Sequence, residues 1–273
     1  MLELEHQFRV FDVHARLHAG PGRPIRGRTI SAEDLERENH QAGIVRAVVF
    51  SEAQKGEQGY LRANNAVARQ AVDRPFMAFA RIDGPLDVET SPRARVKNLT
   101  ARRHEWQTSP EDVEQYAYDD RFNGFKLDPT RDGFPTGDVV DVLEDVGLPI
   151  LLHGGTNFPP RAIEDMLLHR DVPVILAHFG GFPLDHHLMG EAIDLLETYD
   201  TLYLDTSVVR YRELLERAIM EHPDRVLFGS GVPTTHPNVS VMEILTLDVP
   251  EDAMKRVFTK NPIRVIPGLD AEG

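Results

Sequence analysis

PVILAHFGG, residues 173–181, decides the fold class. Four consecutive apolar side chains follow a proline, and the run stops at a histidine and two glycines. A strand with one wet face alternates apolar and polar residues. A strand that does not alternate is covered on both faces, as parallel strands packed between helices are. Working outward, the same kind of run recurs at PILLH (149–153), TLYLDTS (201–207) and RVLFGS (225–230), and upstream at FRVFDVH (8–14), IVRAVVF (44–50), FMAFARI (76–82) and FNGFKLD (122–128). Helix-like segments lie between them. SAEDLERENHQAG (31–43) carries Ser31 as an N-cap, acidic residues in its first turn and Gly43 as its stop. Others lie around 58–73, at 137–147, from Pro159 to Arg170, at 184–199, at 210–220, and from near 240 and 250.

Eight strand–helix units in 273 residues predict a (β/α)8 barrel formed as a single domain over residues 1–273. A doubly wound sheet is the competitor, but HAGPGRPIRG after the first strand lacks the G-x-G-x-x-G spacing. The connection after the third strand, about 84–120, is longer than a normal βα loop and holds the basic stretch RARVKNLTARRHEW (93–106). There Arg95, Arg102, Arg103 and His104 are read either as one solvated helix face or as groups reaching over the barrel mouth.

Composition narrows the function classes. There are no cysteines, which excludes disulfides, thiolate metal sites and a cysteine nucleophile. A formal net charge of −14 opposes nucleic-acid binding, and no apolar run reaches the length of a membrane helix. The N-terminus MLELEHQFRV does not read as a signal peptide, so a cytoplasmic location is expected. Lysine occurs only at 55, 97, 126, 255 and 260, and this acidic, lysine-poor character fits either a halophilic protein or ordinary acidic solubility.

In such barrels the chemistry sits at the C-terminal ends of the strands. Histidines end the first, fifth and sixth strands: His14, His153 and His178. If FDVHARLHAG (11–20) is extended, Asp12, His14, Arg16 and His18 point to one side, toward the mouth.

The chain resembles the amidohydrolase superfamily, in particular its amidohydrolase-2 branch of metal-dependent hydrolases and decarboxylases. DVHAR is similar to the family's Asp-x-His-x-His opening; FKLDP, PILLHGG, VILAHFGG, YLDTS and RVLFGSGVP follow in the family's order, and NPIRVIPG (261–268) resembles its closing helix. The resemblance implies a metal held by the two His of the first strand, the His of the fifth and an Asp after the eighth, with the sixth-strand His acting on water or substrate. Two of those places differ here: Arg16 replaces the second His, and Gly231 the Asp.

A guanidinium about 5 Å from a divalent ion would repel it by roughly 6–7 kcal/mol at an effective dielectric of 20. The expectation is therefore a degenerate or absent metal site, with zinc bound weakly at most by His14, His153 and His178. Arg16 is expected to pair with Asp12, Asp128 or Asp205, or to bind a substrate carboxylate. Lys126 and Asp205 complete the substrate-binding candidates, Lys126 being read as paired with Asp128 or Asp205. His178 and His153 are the catalytic candidates, and His236 is read as a surface-loop residue that could reach back as a substitute ligand or base. The expected function is a hydrolase or decarboxylase acting on a small carboxylate-bearing substrate. A three-His zinc hydrolase and an inactive ligand-binding or assembly barrel remain as alternatives. Dimers are common among look-alikes, so a homodimer is the expected assembly.

Overall fold

The apolar runs become strands because β-branched and aromatic residues fit a surface buried on both faces. The computed structural model describes residues 6–18, 28–54, 59–89 and 91–270. Among these residues eight parallel strands pair in chain order: β1 (Val10–Leu17), β2 (Ile44–Ser51), β3 (Phe76–Ile82), β4 (Phe122–Leu127), β5 (Ile150–Gly155), β6 (Val174–Phe182), β7 (Leu202–Asp205) and β8 (Val226–Leu227). The segment after β8 draws the ring together against β1. Val13 N–H donates to the Phe228 carbonyl at 2.9 Å, Gly231 N–H to that of His14 at 3.0 Å, and Arg16 N–H to that of Val232 at 2.9 Å. The architecture is the (β/α)8 barrel that the strand pattern predicts.

Helices cover the outside. In chain order they are α1 (Ala32–Gln41), α2 (Leu61–Ala71), α3 (Pro92–Thr100), α4 (Pro110–Tyr118), α5 (Pro129–Asp132), α6 (Gly137–Val146), α7 (Pro160–Ile163), α8 (His186–Leu195), α9 (Arg212–Glu221), α10 (Pro237–Leu245), α11 (Glu251–Lys255) and α12 (Asn261–Val265). Ser31 caps α1 as expected, its Oγ accepting the Asp34 N–H. The long connection after β3 folds into α3 and α4. Its basic residues stay outside: Arg103 pairs with Asp138 on α6, His104 stacks on Trp106, and Arg95 and Arg102 are exposed. Asn261 donates to the carbonyls of Pro223 and Val226, which fixes the closing helix to β8.

Strand residues divide between two apolar clusters. The larger lies between the strands and the helices. The smaller, enclosed by the strands, includes Phe11, Val13, Phe50, Phe79, Leu151, Ile175 and Leu227, with Ile266 and Leu269 from the C-terminal segment. On β1 this corrects the strict alternation expected from the sequence. Phe11 and Val13 are inside, Ala15 and Leu17 outside, and the pairing to β2 shifts register between Asp12 and Ala15. One such irregularity reverses the facing of every residue beyond it. The result is an apolar floor under a polar mouth.

Candidate active site

Five of the eight strands contribute polar groups to a cavity of about 360 Å³. From β1 come His14 and Arg16, from β3 Arg81, from β4 Lys126 and Asp128, and from β5 and β6 His153 and His178. Phe50 and Phe182 supply apolar wall, and Val208 and Gly231 line the β7–β8 side.

The three strand-end histidines converge. The His178 ring centre lies 4.9 Å from that of His14 and 5.0 Å from that of His153. His14 Nδ1 donates to Asp205 Oδ2 at 2.7 Å. His178 Nδ1 donates to the Ser207 carbonyl at 2.9 Å and lies 2.8 Å from the Ser207 hydroxyl. A carboxylate and a carbonyl only accept, so both imidazoles carry their proton on Nδ1 when neutral, which leaves Nε2 as the basic nitrogen of each. Burial holds His178 well below the ordinary histidine range and brings His153 to about 4, so both are neutral at pH 7.

Asp205 is fully buried, and its carboxylate is consumed by the protein. Oδ2 takes His14; Oδ1 takes the Ser207 N–H at 2.9 Å, the Ser207 hydroxyl and the His178 N–H at 3.2 Å. Burial opposes its charge, but His14 and these bonds outweigh that and hold it below the usual carboxylate range. Asp205 therefore orients His14, and it is not among the residues that line the cavity. Asp12 is turned away as well, accepting from Ser230 N–H at 2.8 Å, Ser230 Oγ at 2.5 Å and His14 N–H at 2.9 Å.

The cations show a different pattern. Arg81 is almost fully buried and fully bonded, through Nε to Asp132 at 2.8 Å, through one terminal nitrogen to Asp128 at 3.3 Å and through the other to the Ser51 carbonyl at 3.1 Å. Asp128, the partner expected for Arg16 or Lys126, is thus spent on Arg81. Arg16 is left with Glu52, whose carboxylate is 4.0 Å from Nε, and that Nε has no hydrogen bond. The Glu52 carboxylate instead meets His18 Nδ1 at 2.9 Å. The three aspartates expected to pair with Arg16 do not.

Lys126 differs more sharply from expectation. It is 2% exposed, and its Nζ has no hydrogen-bond partner among the described residues. The ammonium stands 5.2 Å above the Phe50 ring, a cation–π contact in place of an ion pair. Arg131 at the rim and Arg28, paired with Glu38, bring further positive charge to the lining. Sequence reading missed Arg81, Arg131, Arg28 and Ser207; the available signal was Arg81, a lone charge at the end of the apolar run FMAFARI. His236 does not reach the site. Its Nδ1 accepts the Asn238 N–H at the start of α10, and its Nε2 lies 3.8 Å from Glu38.

Among the described residues, the group able to offer ligand atoms within 4.8 Å of one another to a metal is His14, His178 and Asp205; His153 stands outside it. Gly231 has a left-handed backbone (φ +72°), and a side chain there would begin 3.0 Å from Val208 Cγ2. Val208 itself has φ +60°, as His178 does at +58°. For a β-branched residue this is a strained conformation, of the kind that tertiary packing enforces at functional sites.

No curated protein matches the sequence. Similar solved structures include 2,6-dihydroxybenzoate decarboxylase from Rhizobium, with a TM-score of 0.66 and 15% identity over 95% of this chain and 98% of the other. The 5-carboxyvanillate decarboxylase from Sphingomonas paucimobilis gives 0.60 and 16%, over 95% and 99%. A probable 2-pyrone-4,6-dicarboxylic acid hydrolase from Acinetobacter baumannii, with citric acid bound, gives 0.60 and 13%, over 94% and 99%. At these identities the likeness is one of fold. The family itself is given by a model described as amidohydrolase, which matches residues 5–268 and so spans both the strand-end histidines and the closing Asn261 helix: the chain belongs to the amidohydrolase family.

Proposed function

We propose that this barrel hydrolyses a small ester or lactone bearing a carboxylate, without a catalytic metal. The observation that carries the reading is a pair of cations, the largely buried Arg16 and the buried Lys126, that line a cavity faced by three histidines and have no hydrogen-bonded carboxylate of their own among the described residues. A buried charge needs a counter-ion, and a substrate carboxylate supplies one. The similar barrels agree in this respect, since each name contains a carboxylate.

The donor set suits an anion better than a divalent ion. Asp205 has both oxygens engaged, Gly231 stands where the family pattern places a carboxylate, and Arg16 and Lys126 repel a cation. His14 then serves as the base. Asp205 fixes its Nδ1 proton and stabilises the imidazolium, while Nε2 takes a proton from water. The hydroxide adds to the ester carbonyl, Lys126 balances the charge that develops on its oxygen, and the C–O bond to the leaving group breaks. The proton returns from His14 to the leaving oxygen. His153 and His178, both neutral, offer hydrogen bonds to the substrate without adding charge.

The test is a panel of small carboxylated lactones and esters, assayed beside the same compounds with the carboxylate methylated. Blocking the carboxylate is expected to lower kcat/KM by about 10²-fold or more. Prior treatment with a chelator is expected to leave turnover unchanged. Equal turnover of the methylated compounds, or activity that depends on added metal, overturns the reading.

A further inference from the structure

Lys126 is in an unusual situation. An amine held against Phe50, beside Arg81 in the β3–β4 register, with no hydrogen bond or ion pair among the described residues, is not serving as a structural cation. A lysine that is desolvated and set next to another cation is the arrangement that turns an ammonium into an amine nucleophile. We infer that Lys126 forms an imine with the carbonyl of 2-oxo acids, which gives the cavity an electron sink for loss of CO2 from 3-carboxy-2-oxo acids.

The geometry supports each part. Arg16 and Arg131 line the same cavity and can hold the 2-oxo acid's carboxylate, leaving the adjacent carbonyl carbon for Nζ. The Nζ lone pair forms the C–N bond. The carbonyl oxygen takes two protons, one from the nitrogen and one from the site, and leaves as water, giving a protonated imine. When the 3-carboxylate departs as CO2, the C–C bonding pair moves into the imine to give an enamine. A proton delivered to carbon restores the imine, and water hydrolyses it to product and free Lys126. No oxidant or second substrate is needed. Burial, opposed by Asp128, brings the ammonium to about 8, so roughly 300-fold more of it is neutral at pH 7 than of an ordinary lysine at 10.5.

This activity shares Arg16 with the proposed hydrolysis, uses Lys126 as the neutral amine where the hydrolysis uses the ammonium, and does not rest on the His14 base. The experiment is incubation of the full chain with pyruvate and sodium borohydride, followed by peptide mapping. A carboxyethyl group is expected on Lys126 at least about tenfold above its level on exposed Lys97 or Lys260. Acetone, which has the carbonyl but no carboxylate, is expected to label Lys126 at least tenfold less. Oxaloacetate is expected to lose CO2 faster with the wild type than with Lys126→Met or Lys126→Arg, each checked for folding by its thermal transition. Labelling spread evenly over the lysines overturns the inference, as does equal labelling by acetone or equal oxaloacetate loss in folded variants. Because trapping reads Lys126 directly, it succeeds or fails whatever the outcome for ester hydrolysis.

Discussion

Replacing Arg16 by methionine separates a structural guanidinium from a substrate-binding one. The side chain is three-quarters buried, its nearest carboxylate is Glu52 at 4.0 Å, and its Nε makes no hydrogen bond. At an effective dielectric of 20, unit charges 4 Å apart attract by about 4 kcal/mol. Desolvating a guanidinium and a carboxylate consumes several kcal/mol for each ion, and without hydrogen bonds the attraction does not recover it. Burial also pulls the Arg16 pKa down, ahead of the opposing pull from Glu52, which agrees with an unfavourable site for the charge. Methionine keeps the length and the packing stem while removing the charge. Arg16→Met is therefore expected to leave stability unchanged or to raise it by about 1–3 kcal/mol, a few degrees in Tm for a domain of this size. If the cavity holds a carboxylate as proposed, the same change should weaken the binding of a carboxylate probe, here citrate, by about 2–5 kcal/mol, or 30- to several thousand-fold in Kd, because the ligand's charge loses its partner. Thermal unfolding and titration calorimetry on one preparation read both. A variant that loses several kcal/mol of stability yet binds citrate as before would mean that Arg16 holds the fold and that the anion-site argument is wrong.

Three further perturbations test the rest of the site. Asp205→Asn removes the charge and turns one of two accepting oxygens into a donor, so His14 loses either its tautomer or its orientation and kcat for the carboxylated ester should fall by about 10²–10⁴-fold with little change in KM; a loss confined to KM would place Asp205 in binding instead. His153 is held at about 4 against 6.5 when unfolded, so between those values the unfolded chain binds more protons and stability rises with pH; the contribution, up to about 3 kcal/mol, is lost as pH falls from about 6.5 to 4. His153→Phe should flatten that part of the stability–pH curve, and an unchanged slope in thermal melts would count against the neutral, desolvated imidazole. Gly231→Asp should cost about 1–2 kcal/mol, from its positive φ and its contact with Val208, and recover part of that when combined with Val208→Ala; if the single variant is fully stable in denaturant unfolding, the crowding described at Val208 is absent.

The site is a case of strain and unpaired charge placed over a conventional core. Below the bulge in β1 the barrel interior is Phe11, Val13, Phe79 and Leu151; above it stand two unbonded cations and three histidines. His178 and Val208 in left-handed conformations and the orphaned Lys126 amine all reduce stability locally. The large apolar cluster between strands and helices is what sustains them. With a net charge of −14 on the whole chain, a cavity lined by Arg16, Arg28, Arg81, Lys126 and Arg131 stands apart in charge from the rest of the protein.

The sequence by itself determined the barrel, because both-face burial writes continuous apolar runs and eight of them in series leave little else to build. It also determined that His14, His153 and His178 meet, because strand ends in such a barrel share one mouth. It did not determine the pairing of charges. Which aspartate takes which cation depends on distances of a few ångströms between strands far apart in the chain. Arg81 took Asp128 and Asp132, leaving Arg16 and Lys126 without the partners that spacing suggested. Nor did it determine the facing of β1, since a local shift in pairing reverses every side chain beyond it, and nothing in FDVHARL marks where that shift occurs. Periodicity is written in the chain; the contest among buried charges for a limited number of counter-ions is settled only when the strands are side by side.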